Sequence, residues 1–183
     1  MSRPHVGGRS GAGDEATGLV PCIGCGALVP DVAWPVHRYI GASPGCWAIY
    51  AETMGGGLFG PIPAPWGPLM VDAYAASHPG VPGPQSTPSV WIHLVAMQLV
   101  LEGGWRTDQL VRIRTLAADA FDGLGWLEPP VSMGDVTIVH LDEASVEPLD
   151  DLARRWVEGV WASWSAHHEP VRAWAGRLVA PRS

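Results

Sequence analysis

A chain of 183 residues with 47% hydrophobic content is long and apolar enough to bury one core, which excludes disorder as the starting expectation. Its formal charge of −7 comes from 18 acids against 11 bases that are all arginine and scattered, so a nucleic-acid surface is disfavoured, phosphate recognition needing a concentrated positive stripe. No segment reaches the roughly 20 apolar residues of a membrane helix and the opening residues lack the apolar middle of a signal peptide, so no membrane partner and a cytoplasmic location are expected.

In chain order, residues 1–19 are Gly, Ser, Arg and acid with almost no apolar content and read as a disordered tail, leaving residues 20–183 as a single helical metal-binding domain. Between 20 and 46 glycine and proline recur too often for a long helix, which predicts a compact, loop-rich element that needs an internal cross-link. Ser43-Pro44 opens a short helix that closes after Met54, and residues 55–67 make an irregular connection. Pro68 opens the next helix, and His78, standing before Pro79, ends it. A Gly/Pro loop leads into a helix from about Thr87 that carries SVWIHLVAMQLVLE and stops at Gly103 and Gly104. A further helix, capped by Thr107, covers RTDQLVRIRTLAADAFDGL, while VTIVHL (136–141) reads as a short strand or extended loop. The last long helix starts near Ser145 or Pro148 and runs through His167 and His168, with a break or kink expected at Pro170. The sum is a mainly α, single-domain helical bundle with an N-terminal loop-rich zinc-binding element.

All three cysteines, Cys22, Cys25 and Cys46, fall within 25 positions. In a cytoplasmic protein thiols stay reduced, so a CxxC points to metal or redox chemistry rather than to a disulfide. A redox pair needs a buried strand before the motif and a helix running from it, whereas CIGCGALVPD enters a turn. Zinc takes four thiolate or imidazole ligands in a tetrahedron, and two residues between cysteines let both sulfurs meet one ion. His37, between Cys25 and Cys46, is the nearest fourth ligand and completes a Cys3His set, with His78 as the substitute.

A second site is also considered. His93 shares a helical face with Val90, Met97 and Val100, and His168 lies below Trp164 and Trp161, so both are expected on buried faces. Asp72 stands among Leu69, Val71, Tyr74 and Ala75, where a carboxylate needs a partner. Helical bundles build metal sites from inward His and carboxylates, so Asp72, His78, His93 and His167 or His168 are candidates for a second divalent metal that activates water or a thiol. The plainer alternatives are an arginine partner for Asp72 and a helix C-terminus served by His167 and His168. The tryptophans of the last helices suit core packing better than a ligand wall.

The segments CIGCGALVPD, VHRYIGASPGCWAIY, LMVDAYAASHPG, SVWIHLVAMQLVLE and WVEGVWASWSAHHEPVRAW together resemble a family of small bacterial proteins of unknown function, over residues 20–178. The resemblance implies that these motifs belong together and brings no activity. On architecture alone the chain is similar to DinB-type bundles, which hold a metal with three histidines. Two readings follow: a metalloenzyme using the second site, or a non-enzymatic zinc-stabilised module acting through partners or a small-molecule ligand.

Overall fold

The structure is a computed structural model that describes residues 18–55, 62–144 and 148–180. Residues 1–17 of the expected tail, and Ser145 as a helix start, lie outside the described residues. The architecture is mainly helical, as the sequence predicts. Two strands, β1 (Leu19–Pro21) and β2 (Leu28–Pro30), precede α1 (Pro44–Gly55), α2 (Trp66–Ser77), α3 (Ser86–Leu101), α4 (Leu110–Asp119), α5 (Ile138–Asp142), α6 (Leu149–Ser163) and α7 (His168–Val179). No described helix is long and apolar enough to cross a membrane.

Two helices form the centre because they are apolar nearly all round, the pattern of an element covered on every side. α2 buries Leu69, Met70, Ala73, Tyr74 and Ala76, and α3 buries Trp91, Leu94, Val95, Met97 and Leu99. α6 packs on α2, while α7 and α4 pack on α3. These outer helices are amphipathic and bury one stripe each, Trp156, Val157 and Val160 on α6 and Val171 and Trp174 on α7. The tryptophans of the last helices thus fill the core. Two of their indoles donate hydrogen bonds: Trp164 Nε1 to the Ala76 carbonyl (3.3 Å) and Trp161 Nε1 to Glu102 (3.1 Å). Arg172 on α7 holds the same Glu102 through two bonds of 2.6 and 2.7 Å and keeps its carboxyl down at about 2, against the opposing effect of burial.

Proline punctuates the helices from inside. Pro44, Pro68, Pro88 and Pro170 each stand in the first turn of α1, α2, α3 and α7, where an N–H has no intrahelical acceptor to lose. Pro170 therefore does not break the last helix. The chain has already turned through a 3-10 segment, Ser165–His167, before α7 starts at His168. Thr107 likewise begins a 3-10 turn ahead of α4 rather than capping it, with the Arg106 N–H bound to Gln109 Oε1 (2.9 Å). VTIVHL, expected as strand or loop, supplies the short helix α5. Its cap decides this: the Thr137 N–H donates to His140 Nδ1 (3.1 Å), a local bond that outweighs the β-branched composition.

The N-terminal element is a two-stranded antiparallel hairpin, with Val20 opposite Val29, whose β2 rests on the start of α1. α1 is in turn tied to α5, where Thr53 donates to Asp142 (3.3 Å). This end of the bundle carries all three cysteines.

Candidate metal centre

The hairpin turn presents the first two thiols. The Cys22 N–H bonds to the Ala27 carbonyl (2.8 Å) and the Gly26 N–H to the Cys22 carbonyl (2.9 Å), curling residues 22–25 so that both side chains face one point. Gly26 takes φ +76°, a left-handed conformation that glycine adopts without strain. Cys46 comes from the first turn of α1, and His78 from the residue that follows α2. One ligand atom from each of Cys22, Cys25, Cys46 and His78 lies within 4.8 Å of the others, a geometry that fits a metal ion. Cys46 is fully buried, His78 and Cys22 are nearly so, and Cys25 is half-buried.

The histidine that joins the three sulfurs is therefore His78, not His37. The His37 ring packs edge-on against Tyr39 (4.5 Å between centroids) and tilted on Trp47 (5.3 Å), and its buried Nδ1 has no hydrogen-bond partner among the described residues. His78 is held for the task. Its Nδ1–H donates to the Tyr74 carbonyl (2.7 Å), which turns Nε2 toward Cys46 Sγ at 3.3 Å. Such an outer bond fixes the tautomer and orientation of a metal-binding imidazole. Ser43 serves the sulfurs in the same way: its N–H donates to Cys22 Sγ (3.4 Å), and its hydroxyl accepts the Ile23 N–H (3.0 Å). Tyr74 donates its hydroxyl to Cys46 Sγ (3.7 Å) and stays neutral, since burial, ahead of the neighbouring sulfur cluster, pushes its ionisation up.

Proton distribution in the cluster follows from crowding. Hydrogen bonds from Cys25 and Cys46 hold the Cys22 thiol far below the usual thiol range, while bonds to Cys22 and Cys25, together with burial, push the Cys46 thiol far above it. Burial pulls the His78 imidazole down, but the neighbouring Cys22 and Cys25 sulfurs outweigh it and push it up to about 9. Three thiols and an imidazole thus lie in contact, a set of donor atoms that fits a cation.

Close chain crossings make the meeting possible. A Cβ on Gly24 would lie 2.5 Å from His78 Cδ2 and 2.6 Å from the Gly41 carbonyl oxygen, and one on Gly45 would lie 2.1 Å from the Pro30 carbonyl oxygen. Gly24→Ala is accordingly expected to displace the imidazole and lower metal affinity about tenfold or more, the scale of outer-shell damage. Competition against a chelating dye reads this directly, and an unchanged affinity would show that the turn has slack.

The other proposed ligands do not assemble into a second metal site. Asp72, wholly buried on α2, accepts from His93 Nδ1 (2.8 Å) through one oxygen and from Arg114 of α4 through the other. A guanidinium on the carboxylate occupies the place of a cation. His93 lies at a partly open edge, 19% exposed, rather than in the core. His78 belongs to the thiols. His168 Nε2 donates to the Trp161 carbonyl near the end of α6 (2.9 Å) and stacks on the Trp161 indole, and His167 Nε2 donates to the Glu128 carbonyl (2.8 Å). Among the described residues only the Cys3His group brings three or more potential ligands together, and no set of three histidines converges. Ser43 and Tyr74 were missed as supports. Their one sequence signal is position, Ser43 two residues before Gly45 and Tyr74 one helical turn before His78.

No curated protein and no solved structure matches the chain. A family profile does, over residues 20–165, from the first strand to the 3-10 turn after α6 and through all four residues of the Cys3His group. The chain belongs to DUF5946, a family of unknown function.

Proposed function

We propose that this protein is a zinc-stabilised helical module in which Cys22, Cys25, Cys46 and His78 form a closed structural centre, and that it works by binding a small-molecule ligand rather than by chemistry at the metal. One observation carries the metal reading. A tetrahedral zinc with Zn–S bonds of ~2.3 Å sets its sulfurs about 3.8 Å apart, and Cys25 Sγ stands 3.9 Å from Cys46 Sγ. Thiolate-rich ligation with one imidazole favours zinc over harder cations. Four protein ligands fill the tetrahedron, so the centre keeps no open position for water, and the surroundings are those of a structural site. With Asp72 committed to Arg114, the enzymatic reading has no second metal to rest on.

Elemental analysis of the purified chain is expected to give one zinc per molecule. His78→Ala should lose most of it, with helical circular dichroism reporting whether the bundle persists, while His37→Ala should retain it. Full zinc in His78→Ala, or loss in His37→Ala, would overturn the ligand set.

A further inference from the structure

The loops that the Cys3His group pins together also wall a cavity. It has a volume of about 670 Å³ and lies between the metal turn (Ile23, Gly24), residues 38–41, the segment after His78 and the Pro129-Pro130-Val131 stretch. That volume is in the range of small-molecule sites, roughly 300–1,000 Å³. Its lining is apolar in an unusual way. Ten large apolar side chains are exposed among the described residues, and four of them, Ile23, Tyr39, Val81 and Val131, line this one cavity. Exposed apolar residues scattered singly need no explanation, but their gathering around a concavity marks a surface that something covers.

Charge narrows what that is. Arg38 is the one charged residue of the lining, no acid faces it there, and it makes no ion pair among the described residues. Every acid with a well-formed partner is engaged elsewhere, as Asp72 is by Arg114 and Glu102 by Arg172. A guanidinium offers a planar fork that matches a carboxylate, and beside apolar walls such a charge-assisted pair is stronger than in open water. A single guanidinium with no second cation suits a monoanion better than a doubly charged phosphate. The Ser86 hydroxyl is already donated to the Val81 carbonyl, and the other polar side chains of the lining, Tyr39 and Gln85, are uncharged and add no second cation.

We infer that this cavity binds a small apolar carboxylic acid, its hydrocarbon or aromatic body against Ile23, Val81 and Val131 and its carboxylate on Arg38. The inference rests on the module reading above and specifies its ligand. The geometry also couples the two sites. Gly24 passes close enough to the His78 ring that a Cβ there would meet it, and Gly41 bonds through its N–H to the His78 carbonyl (2.9 Å), so ordering of the metal centre orders one wall of the cavity.

The test is a titration of the full-length, zinc-analysed chain with 2-naphthoate, 4-phenylbutyrate and decanoate, followed by calorimetry and by amide chemical shifts. Saturable binding of at least one acid is expected, with shifts centred on Ile23, Val81 and Val131, weakened about tenfold or more in Arg38→Met and by a similar factor for the matching neutral amide. Val131→Asp, at a fully exposed position that folding does not need, should also abolish binding. Failure of all three acids, equal binding of acid and amide, or shifts confined to another face would overturn it. Zinc measured on the same samples separates the two readings. A zinc-replete chain that ignores the acids overturns this inference alone, and a zinc-free chain that binds them supports it while overturning the metal centre.

Discussion

Stripping the metal, or replacing Cys46 with serine, is expected to release the hairpin and the start of α1 from the bundle while α3, α6 and α7 stay folded. The front of the molecule has little else to hold it. Its strands are three residues each, and of their side chains only Val29 is buried. A two-stranded hairpin of that size is not stable alone in water. A structural zinc contributes about 10–16 kcal/mol of apparent binding energy in small peptides, well beyond what one buried valine supplies. Amide exchange is the measurement: the N–H groups of Cys22, Gly26 and Asp31, bonded within the hairpin, should lose protection after chelation, while those of α3 keep theirs. If the hairpin amides stay protected in the metal-free chain, the cross-link is not what orders this end.

The same centre carries a pH dependence. Without metal, burial works against the His78 charge, yet the neighbouring sulfurs raise the imidazole to about 9, so its proton pairs with them at neutrality. A raised histidine stabilises the fold fully below its unfolded value and loses that contribution as the pH climbs through about 9. Metal uptake must expel this proton and those of the thiols, so zinc affinity should fall steadily as the pH is lowered. The metal-free and metal-loaded chains therefore respond to acid in opposite senses, which thermal melts at pH 6 and pH 9 would separate.

How much of this was legible beforehand divides along the range of the interactions. The helices are marked by local signals, apolar runs and prolines at first turns, and their order was readable. The cysteine trio was readable too, since CxxCG and PGCW lie close in the chain. His78 was harder. It is 32 positions beyond Cys46, and it reaches the thiols because the backbone passes Gly24 and Gly41 without side chains to keep it away. Proximity in sequence favoured His37, and proximity in space did not. VTIVHL misled through its β-branched composition, which a single cap from Thr137 and His140 overrode. The second metal site failed for a like reason: Arg114, 42 positions from Asp72, is brought to the carboxylate only by the packing of α4 at this edge of the bundle.

That buried carboxylate gives the other large effect. Arg114→Met is expected to destabilise the fold by about 3 kcal/mol, the lower end of the range for breaking a buried pair, because the guanidinium keeps part of its surface in water. Asp72 is wholly buried, and without the guanidinium His93 alone remains on the other oxygen. The cost should come from the stranded charge rather than from lost packing, and the double variant distinguishes the two. Asp72→Asn combined with Arg114→Met removes charge from both partners and should recover a good part of the loss, giving a favourable coupling in a double-mutant cycle. Denaturant melts of the four proteins supply the numbers, and zinc content should be the same in all of them. A near-neutral Arg114→Met, or a drop in bound metal on removing the Asp72 charge, would mean that the carboxylate serves a cation after all.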